Sequence, residues 1–588
     1  MKSFLTLIGE EVASAFERAG YERDLGRVGV SNRPDLCEYQ CNGAMAGAKR
    51  YKKNPMEIAS AVAEELKSSK AFSMVEAAAP GFINLNADPA YIRDYAAGMQ
   101  KSERFGVEKP EKPEMIVIDY GGPNVAKPLH VGHLRPAVIG ESIKRIARYA
   151  GHTVIGDVHL GDWGMPMGQI ITELQVRKPD LVYFDDTYEG DYPEEPPFDI
   201  SELEEIYPHA SGRCKTDEEY KAKALQATKE LQAGRRGYRA LWQHILKVSV
   251  TDLKRNYKRL DVDFDLWMGE SDVDDLIPAM VQDMKDKGLA HISEGALVVD
   301  VTEESDKKEI PPCMVLKSDG AANYETTDLA TLVWREREYK PDKVLYVVDK
   351  RQELHFVQVF RCARKCGIVR DDTGLEFIGF GTMNGPGGKP FKTRDGGVLR
   401  LSQLLDDIAE SMYERIKEAG REDMSDEEAK ETAEMTALAA LKYGDLSNQA
   451  SKDYIFDTER FTASEGDTGP YLLYTMARIR SILRKYEAEG GKQGELPVPA
   501  DKAQKAIYMD MAGFVQMIGE AYAERAPHRV CAYLYQLSND LNSFYHETKI
   551  LTEEDQEKRA GYIALIAAAL RIMEESIGLL GFKAPLRM

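Results

Sequence analysis

The chain of 588 residues has no run of about 18 apolar residues, the length a helix needs to cross a bilayer, so no membrane segment is expected. Its first stretch, Met1 to Gly20, breaks every apolar run with Lys2, Glu10, Glu11, Glu17 and Arg18. Without a continuous apolar h-region, a secretory leader is not expected either. Cysteine is scarce and scattered: Cys37, Cys41, Cys214, Cys313, Cys362, Cys366 and Cys531. An odd set of this kind suits a reducing, cytoplasmic location. Cys37/Cys41 and Cys362/Cys366 are each four apart and could share a helical face. Zinc pairs usually sit closer and come with further ligands, so buried thiols are expected, and no bound metal. Basic residues are in deficit, 77 against 98 acidic, for a net charge of −21. That balance argues against indiscriminate nucleic-acid affinity, and DNA is not an expected partner. Internal repeats and long low-complexity tracts are also absent.

Hydrophobic residues make up 43% and charged residues 30%, the balance of a soluble globular protein. The length implies about three to five domains. The charge is unevenly spread. From Phe184 to Glu205 there are ten acidic residues and no basic one, which reads as a surface insertion. Residues 127–150 instead carry Lys127, Arg135, Lys144, Arg145 and Arg148 against Glu141 alone. A basic working face can therefore sit within an acidic protein.

The pattern predicts a multidomain α/β architecture. Residues 1–112 read as an N-terminal α+β unit, with a strand around Gly81–Leu85 and a linker at Lys109–Pro113. Residues 113–400 read as a Rossmann-type parallel-sheet domain. Met115–Asp119 is its first strand, Gly121-Gly122-Pro123-Asn124 a glycine-rich turn, His133–Tyr149 a helix, and Thr153–Asp157 the next strand. Strand, turn, helix, strand opens a parallel nucleotide-binding sheet. Asp342–Asp349 and Leu375–Phe380 supply later strands, and residues of about 180–320 are largely inserted. From Leu401 the apolar spacing becomes three and four, predicting a helical connector over 401–440 and an all-α bundle over 441–588.

His130-Val131-Gly132-His133 falls where the first strand hands over to the first helix. Gly132 lets a ligand approach the backbone. The helix start behind it offers unpaired N–H groups and positive partial charge, suited to phosphates. Two imidazoles three apart can face one way. The motif alone also fits two ordinary histidines at a helix start. A zinc site is a third reading, though no Glu follows the first His as a zincin helix requires.

The surroundings resolve this. The run Asp119-Tyr-Gly-Gly-Pro-Asn-Val-Ala-Lys-Pro-Leu-His-Val-Gly-His-Leu-Arg135 resembles the first signature of class I aminoacyl-tRNA synthetases, in the form carried by arginyl-tRNA synthetases. Further matches follow in order at Gly156–Gly164, Asn323–Asp328, Val348–His355, Gly469–Tyr474 and Pro527–Leu551. The resemblance implies ATP with Mg²⁺, L-arginine and tRNA(Arg) as partners. It also implies arginyl-adenylate formation, transfer to the 2′-hydroxyl of the terminal adenosine, and a monomer.

By the same resemblance His130, His133 and Gly132 contact ATP. Asp119, Asn124, Tyr324, Asp328 and Gln352 match amino-acid-binding positions, with Asp119 shorter than the Glu of some members. Phe82 and Asn84 match positions that read the tRNA elbow, and Tyr545 and Met588 match anticodon-loop contacts. Arg478, Arg480 and Arg484 could meet phosphates or form a solvated helix face. One departure concerns the second signature, Gly387-Gly-Lys-Pro-Phe-Lys-Thr-Arg394. Its usual final lysine is replaced by Thr393, and Lys127, Lys389 and Lys392 compete for the phosphate role.

A cysteine-selecting relative would need a zinc-bound thiolate pocket, and a glutamine- or glutamate-selecting one a cation where Asp328 stands. A catalytically dead tRNA-binding relative is the third alternative, and the intact His130, His133, Asn124 and Asp328 weigh against it. A solvated helix cap is the bland reading of Asp328. The functional reading predicts that Asp328→Asn keeps the fold but loses about 3–5 kcal/mol of arginine binding, the cost of breaking a buried charge pair. The check is the Michaelis constant for arginine, and an unchanged value overturns the assignment.

Overall fold

The computed structural model describes residues 1–389, 399–418 and 424–588. Lys392, Thr393 and Arg394 lie outside the described residues. Four strands, β1 (Val28–Val30), β2 (Tyr39–Cys41), β3 (Phe72–Ala78) and β4 (Phe82–Ala87), form an antiparallel N-terminal sheet in the order β1-β2-β4-β3. Helices Phe4–Arg18, Gly43–Tyr51, Pro55–Leu66 and Pro89–Gln100 accompany it. Asn54 and Asp88 cap the last two, each followed by a proline whose missing N–H costs a helix start nothing.

The central sheet is parallel. β5 (Met115–Tyr120) and β6 (Thr153–Asp157) flank helix Leu134–Tyr149, and β10 (Lys343–Asp349) and β11 (Gly374–Phe380) complete the order β11-β10-β5-β6. Ile116, Val117 and Ile118 of β5 are fully buried, as expected of a parallel strand covered on both faces. The helix lies very close to its strand: a Cβ on Gly140 would stand 2.3 Å from the Tyr120 ring.

Between β6 and β10 the chain adds helices Ile200–Arg213, Glu218–Gln232, Arg236–Arg259 and Ile277–Asp286. It also adds the antiparallel sheet of β7 (Ala290–Ser293), β8 (Ala296–Val299) and β9 (Cys313–Leu316). Helix Tyr324–Tyr339 returns the chain to β10. A two-residue strand pair, β12 (Met383–Asn384) with β13 (Tyr454–Ile455), ties the central domain to the helical part.

The C-terminal part contains helices Leu401–Glu418, Asp426–Leu446, Gly469–Ala488, Lys502–Ala523, Pro527–Glu547 and Gln556–Leu580. Helix Asp426–Leu446 runs unbroken across the division expected at 440–441, with Ala437, Ala440 and Leu441 all at 0% exposure. The division expected there falls inside one continuous helix rather than in a linker. No described helix is long and apolar enough to cross a membrane. All seven cysteines are free and buried. Cys362 and Cys366 do share a helical turn, their sulfurs 4.0 Å apart. Cys37 and Cys41 do not, because Cys41 lies on β2 and Cys37 in the loop before it.

One buried ion pair joins the central domain to the helical part. Arg135, at the start of helix Leu134–Tyr149, places Nε 3.0 Å from Asp445 Oδ2, at side-chain exposures of 2% and 0%. Its Nη1 donates to the carbonyls of Gly381 and Lys452, and Tyr454 donates its hydroxyl to Asp445. Arg135→Met would strand the Asp445 carboxylate without a cation, at a cost of about 3–5 kcal/mol. The double variant Arg135→Met, Asp445→Leu should recover much of it. Thermal midpoints read this directly, and a single variant as stable as the parent would refute it.

Candidate active site

Ligands of open parallel sheets bind beyond the carboxyl ends of the strands. Here that position is a cleft of about 880 Å³ between β5, β10 and helix Tyr324–Tyr339. Asp119, Asn124, His130, Gly132, His133, Tyr324, Asp328 and Gln352, drawn from three separate stretches of sequence, all line it.

The two imidazoles sit on a 3₁₀ turn, Val131–His133, just before helix Leu134–Tyr149. His130 Nδ1 accepts from the Gly132 N–H at 3.0 Å, and His133 Nδ1 accepts from the His130 N–H at 3.1 Å. Both rings must then carry their proton on Nε2, with that N–H free to donate. Burial, reinforced at His133 by His130 and at both rings by Lys127, lowers their basicity, His133 to about 3. They are neutral donors near pH 7. Gly132 is required partly by His130 itself: a Cβ there would lie 2.8 Å from the ring.

The opposite end of the cleft is acidic. His355 Nε2 is 2.5 Å from Asp328 Oδ2, and its Nδ1 is 3.6 Å from Glu325. Burial disfavours charge on this imidazole, but Asp328 and then Glu325 outweigh it and raise it to about 9. Glu270 faces the same space, its carboxyl pushed up to about 7 by burial. Its backbone hangs on the Gly156–Gly164 segment, donating from Glu270 N–H to the Leu160 carbonyl at 3.1 Å. Asp162 accepts from the Ser271 N–H and hydroxyl. Gly161 in the same segment makes room for Asn124, whose Oδ1 would stand 2.1 Å from a Cβ there.

Beneath the cleft Arg335, fully buried, reaches Asp119 at 2.6 Å and Asp157 at 2.8 Å with one Nη. Its Nε and other Nη have no hydrogen-bond partner. His159 stands 3.7 Å from Asp157. Burial opposes its charge, yet Asp157 and Asp119 raise it to about 9. Asp119, Asp157 and His159 have the spacing of metal ligands, but the guanidinium already bridges both carboxylates.

Several expected residues stand elsewhere. Lys127 is half-buried with Nζ 4.6 Å over the Tyr207 ring, close enough to bias both imidazoles. Lys389 is exposed on the turn that follows β12. Asn84, 6% exposed on β4, accepts at its Oδ1 from Gln40 Nε2 at 2.9 Å, and Phe82 is half-buried at the start of that strand. Tyr545 is 40% exposed beside Arg478, whose guanidinium lies 5.0 Å from its ring. Met588 is 7% exposed and packs into the bundle. Arg480 is spent on Glu574 and on the Ala584 and Pro585 carbonyls, and Arg484 on the Leu586 carbonyl. Neither is the bare phosphate-facing cation that the sequence allowed.

Sequence reasoning missed His159, Glu270, Arg335 and His355. His159 and His355 lay inside matched segments. Arg335 follows Tyr324, Asp328 and Thr331 along one helical face, a periodicity that could have exposed it. Glu270 carried no local signal.

The parallel sheet, the imidazole turn and the helix behind it are those of a class I aminoacyl-tRNA synthetase catalytic domain. A family model described as tRNA synthetases class I (R), catalytic domain, matches residues 97–458. Models of the arginyl tRNA synthetase N terminal domain and the DALR anticodon binding domain match residues 4–87 and 472–588. Relatives named arginine–tRNA ligase include that of Agathobacter rectalis, 60% identical over 597 residues, and that of Alkaliphilus oremlandii, 51% identical over 589 residues, each alignment covering 100% of both chains. The fold is similar to that of arginyl-tRNA synthetase from Plasmodium falciparum, at TM-score 0.79 and 21% identity over 99% of each chain. The chain belongs to the arginyl-tRNA synthetase family.

The raised basicity of His355 has a measurable consequence. A group protonated more readily in the folded than in the unfolded state stabilises the fold fully below its unfolded value of about 6.5, and this is lost as pH rises through the folded value. The difference in thermal midpoint between the parent and His355→Gln should therefore be largest below pH 6.5 and shrink as pH passes about 9. A difference independent of pH would exclude a charged His355.

Proposed function

We propose that this cleft activates L-arginine with ATP and passes it to the 2′-hydroxyl of the terminal adenosine of tRNA(Arg). The observation that carries the reading is the polarity of one cavity, acidic at Asp328 and Glu270 and donor-lined at His130 and His133. A guanidinium offers five donors and a permanent charge, so its pocket needs carboxylate acceptors. Asp328 and Glu270 supply them, with Tyr324 one helical turn before Asp328. The substrate takes the place of the His355 imidazolium on Asp328. Asn124, Asp119 and Gln352 hold the amino-acid end. Oδ2 of Asp119 is already anchored by Arg335, so the substrate meets a fixed carboxylate.

At the other end the triphosphate lies over the imidazole turn. An oxygen of the arginine carboxylate attacks the α-phosphorus, the bond to the departing pyrophosphate breaks, and arginyl-adenylate forms. The Nε2–H groups of His130 and His133 donate to the phosphate oxygens on which charge builds, which suits neutral, preorganised donors. Of the competing lysines Lys127, Lys389 and Lys392, Lys127 takes the phosphate role. Mg²⁺ travels with ATP, held chiefly by phosphate and water oxygens rather than by a protein cage. The tRNA 2′-hydroxyl then attacks the activated carbonyl and AMP departs.

The tRNA spans the molecule. Phe82 and Asn84 on the N-terminal sheet meet its elbow, and Tyr545 with Arg478 offers a π-face and a cation to anticodon bases. Met588 supports that surface from within the bundle. The units are the elbow-binding region 1–112, the catalytic region 113–400, and the helical anticodon-binding remainder, in a cytoplasmic monomer.

Arginine-dependent exchange of pyrophosphate into ATP, measured with and without tRNA, tests the reading. Arginine should drive exchange, while cysteine and glutamine should not. Exchange driven by another amino acid, or by none in the presence of tRNA, would overturn it. Lys127→Ala should slow adenylate formation more than transfer of preformed adenylate. If Lys127→Ala is neutral and Lys392→Ala is inactive, the phosphate role moves to Lys392.

A further inference from the structure

Both signature imidazoles are neutral, and Thr393 occupies the place of the usual second-signature lysine. A bound triphosphate carries several negative charges, so it needs a cation besides Lys127. Arg135, two residues beyond His133, is consumed by Asp445. Arg400 lies directly opposite His130. The two residues form an antiparallel bridge, with the Val131 N–H donating to the Leu399 carbonyl at 3.1 Å and the Leu401 N–H to the Leu129 carbonyl at 2.9 Å. Those bonds flank the pair rather than joining it. In a non-hydrogen-bonded antiparallel pair the opposed Cα atoms approach to about 4.5 Å and the two side chains leave the ladder on one face. Arg400 thus emerges on the same face as the His130 imidazole.

What holds Arg400 now is a helix of the insertion. Its Nη2 stands 2.5 Å from Glu204 Oε2, with 57% of the arginine side chain exposed and 9% of the glutamate. Three residues further along helix Ile200–Arg213, and so on the same face, Tyr207 carries Lys127 over its ring at 4.6 Å. One helix face therefore engages the two cations that flank His130, one by a carboxylate and one by a π-face. Both contacts can be exchanged for phosphate oxygens: guanidinium binds phosphate in the same forked geometry as carboxylate.

Resting on the proposed arginine-activating function, we infer that Arg400 is a phosphate-binding residue for ATP and that Glu204 holds it in reserve. In the nucleotide-free enzyme Glu204 and Tyr207 keep Arg400 and Lys127 beside the imidazole turn. When the triphosphate arrives, its charge outcompetes a single carboxylate and the guanidinium transfers from Glu204 to the phosphates. The cation missing from the degenerate second signature is supplied from across the ladder.

The test compares Arg400→Ala, Arg400→Lys and Glu204→Gln in arginine-dependent pyrophosphate exchange, with saturating tRNA. Losing a charge-assisted contact should raise the KM for ATP and for pyrophosphate about tenfold in Arg400→Ala and leave the KM for arginine unchanged. Arg400→Lys should recover part of the loss. Glu204→Gln should lower the KM for ATP, because it frees the guanidinium. A pair that merely pins the insertion predicts the opposite pattern, with Glu204→Gln and Arg400→Ala impaired in the same direction, and that result overturns the proposal. If Arg400→Ala does not fold, Arg400→Gln replaces it with the same expectation. A parent enzyme that fails to exchange with arginine refutes the proposed function itself. A parent that exchanges while Arg400→Ala keeps its ATP KM refutes only the role of Arg400.

Discussion

Arg335 is the constraint on which the site rests. It is fully buried, and a single nitrogen bridges carboxylates at the ends of two adjacent parallel strands, Asp119 of β5 and Asp157 of β6. A buried guanidinium without acceptors is prohibitively costly, and so are two buried carboxylates without a cation. The three groups are stable only together. Their mutual requirement sets the distance between the strand ends and the rotation of helix Tyr324–Tyr339, and with it where Tyr324 and Asp328 point. His159, raised to about 9 beside Asp157, brings this cluster close to charge balance. The floor of the cleft is then held rigidly by its own charges.

Above that floor the cleft is divided electrostatically. At the Asp328 end a protonated His355 balances the carboxylates of Asp328 and Glu325. At the signature end the polarity comes from neutral donors: burial and Lys127 keep both imidazoles uncharged, and their Nδ1 atoms are used up by the turn's own N–H groups. Neutral Nε2–H donors can follow charge onto a phosphate without first giving up a proton. This arrangement depends on the glycine between the histidines, because a side chain there would strike the His130 ring.

The helical part is wired into this site through Arg135 and Asp445. The pair connects the residue two past His133 to helix Asp426–Leu446, and its second branch reaches the Gly381 carbonyl just before β12. Lys442 on the same helix donates to the Gly581 carbonyl at the end of the last helix. A shift in the bundle therefore meets the imidazole turn through buried, directional contacts as well as through the apolar core that the two parts share. The N-terminal sheet is joined to the bundle in the same manner, through Lys505, Glu38 and the Ala87 carbonyl.

Much of this was legible in the sequence. Continuous apolar runs marked β5, β6 and β10, because parallel strands are buried on both faces. The His130–His133 turn was readable because its chemistry is local: a strand end, a small residue and a helix start are consecutive. Asp328 and Tyr324 were readable only through the family resemblance, and the helical turn between them puts both on one face. What the sequence could not disclose were relations between distant positions. Glu270 reaches the acidic end only because Leu160 and Asp162 hold its loop. Asn84 turned out to be largely buried against Gln40, and Arg480 and Arg484 proved to be occupied by the chain's own tail, since a periodic pattern shows which face a residue shares but not what covers that face. The sequence by itself determined the strand–turn–helix opening, the helical C-terminal part and the residue types of the site. Only the tertiary structure decided which cations are free and which are paired, because charge pairing is set by distances of a few ångströms between segments that are hundreds of residues apart.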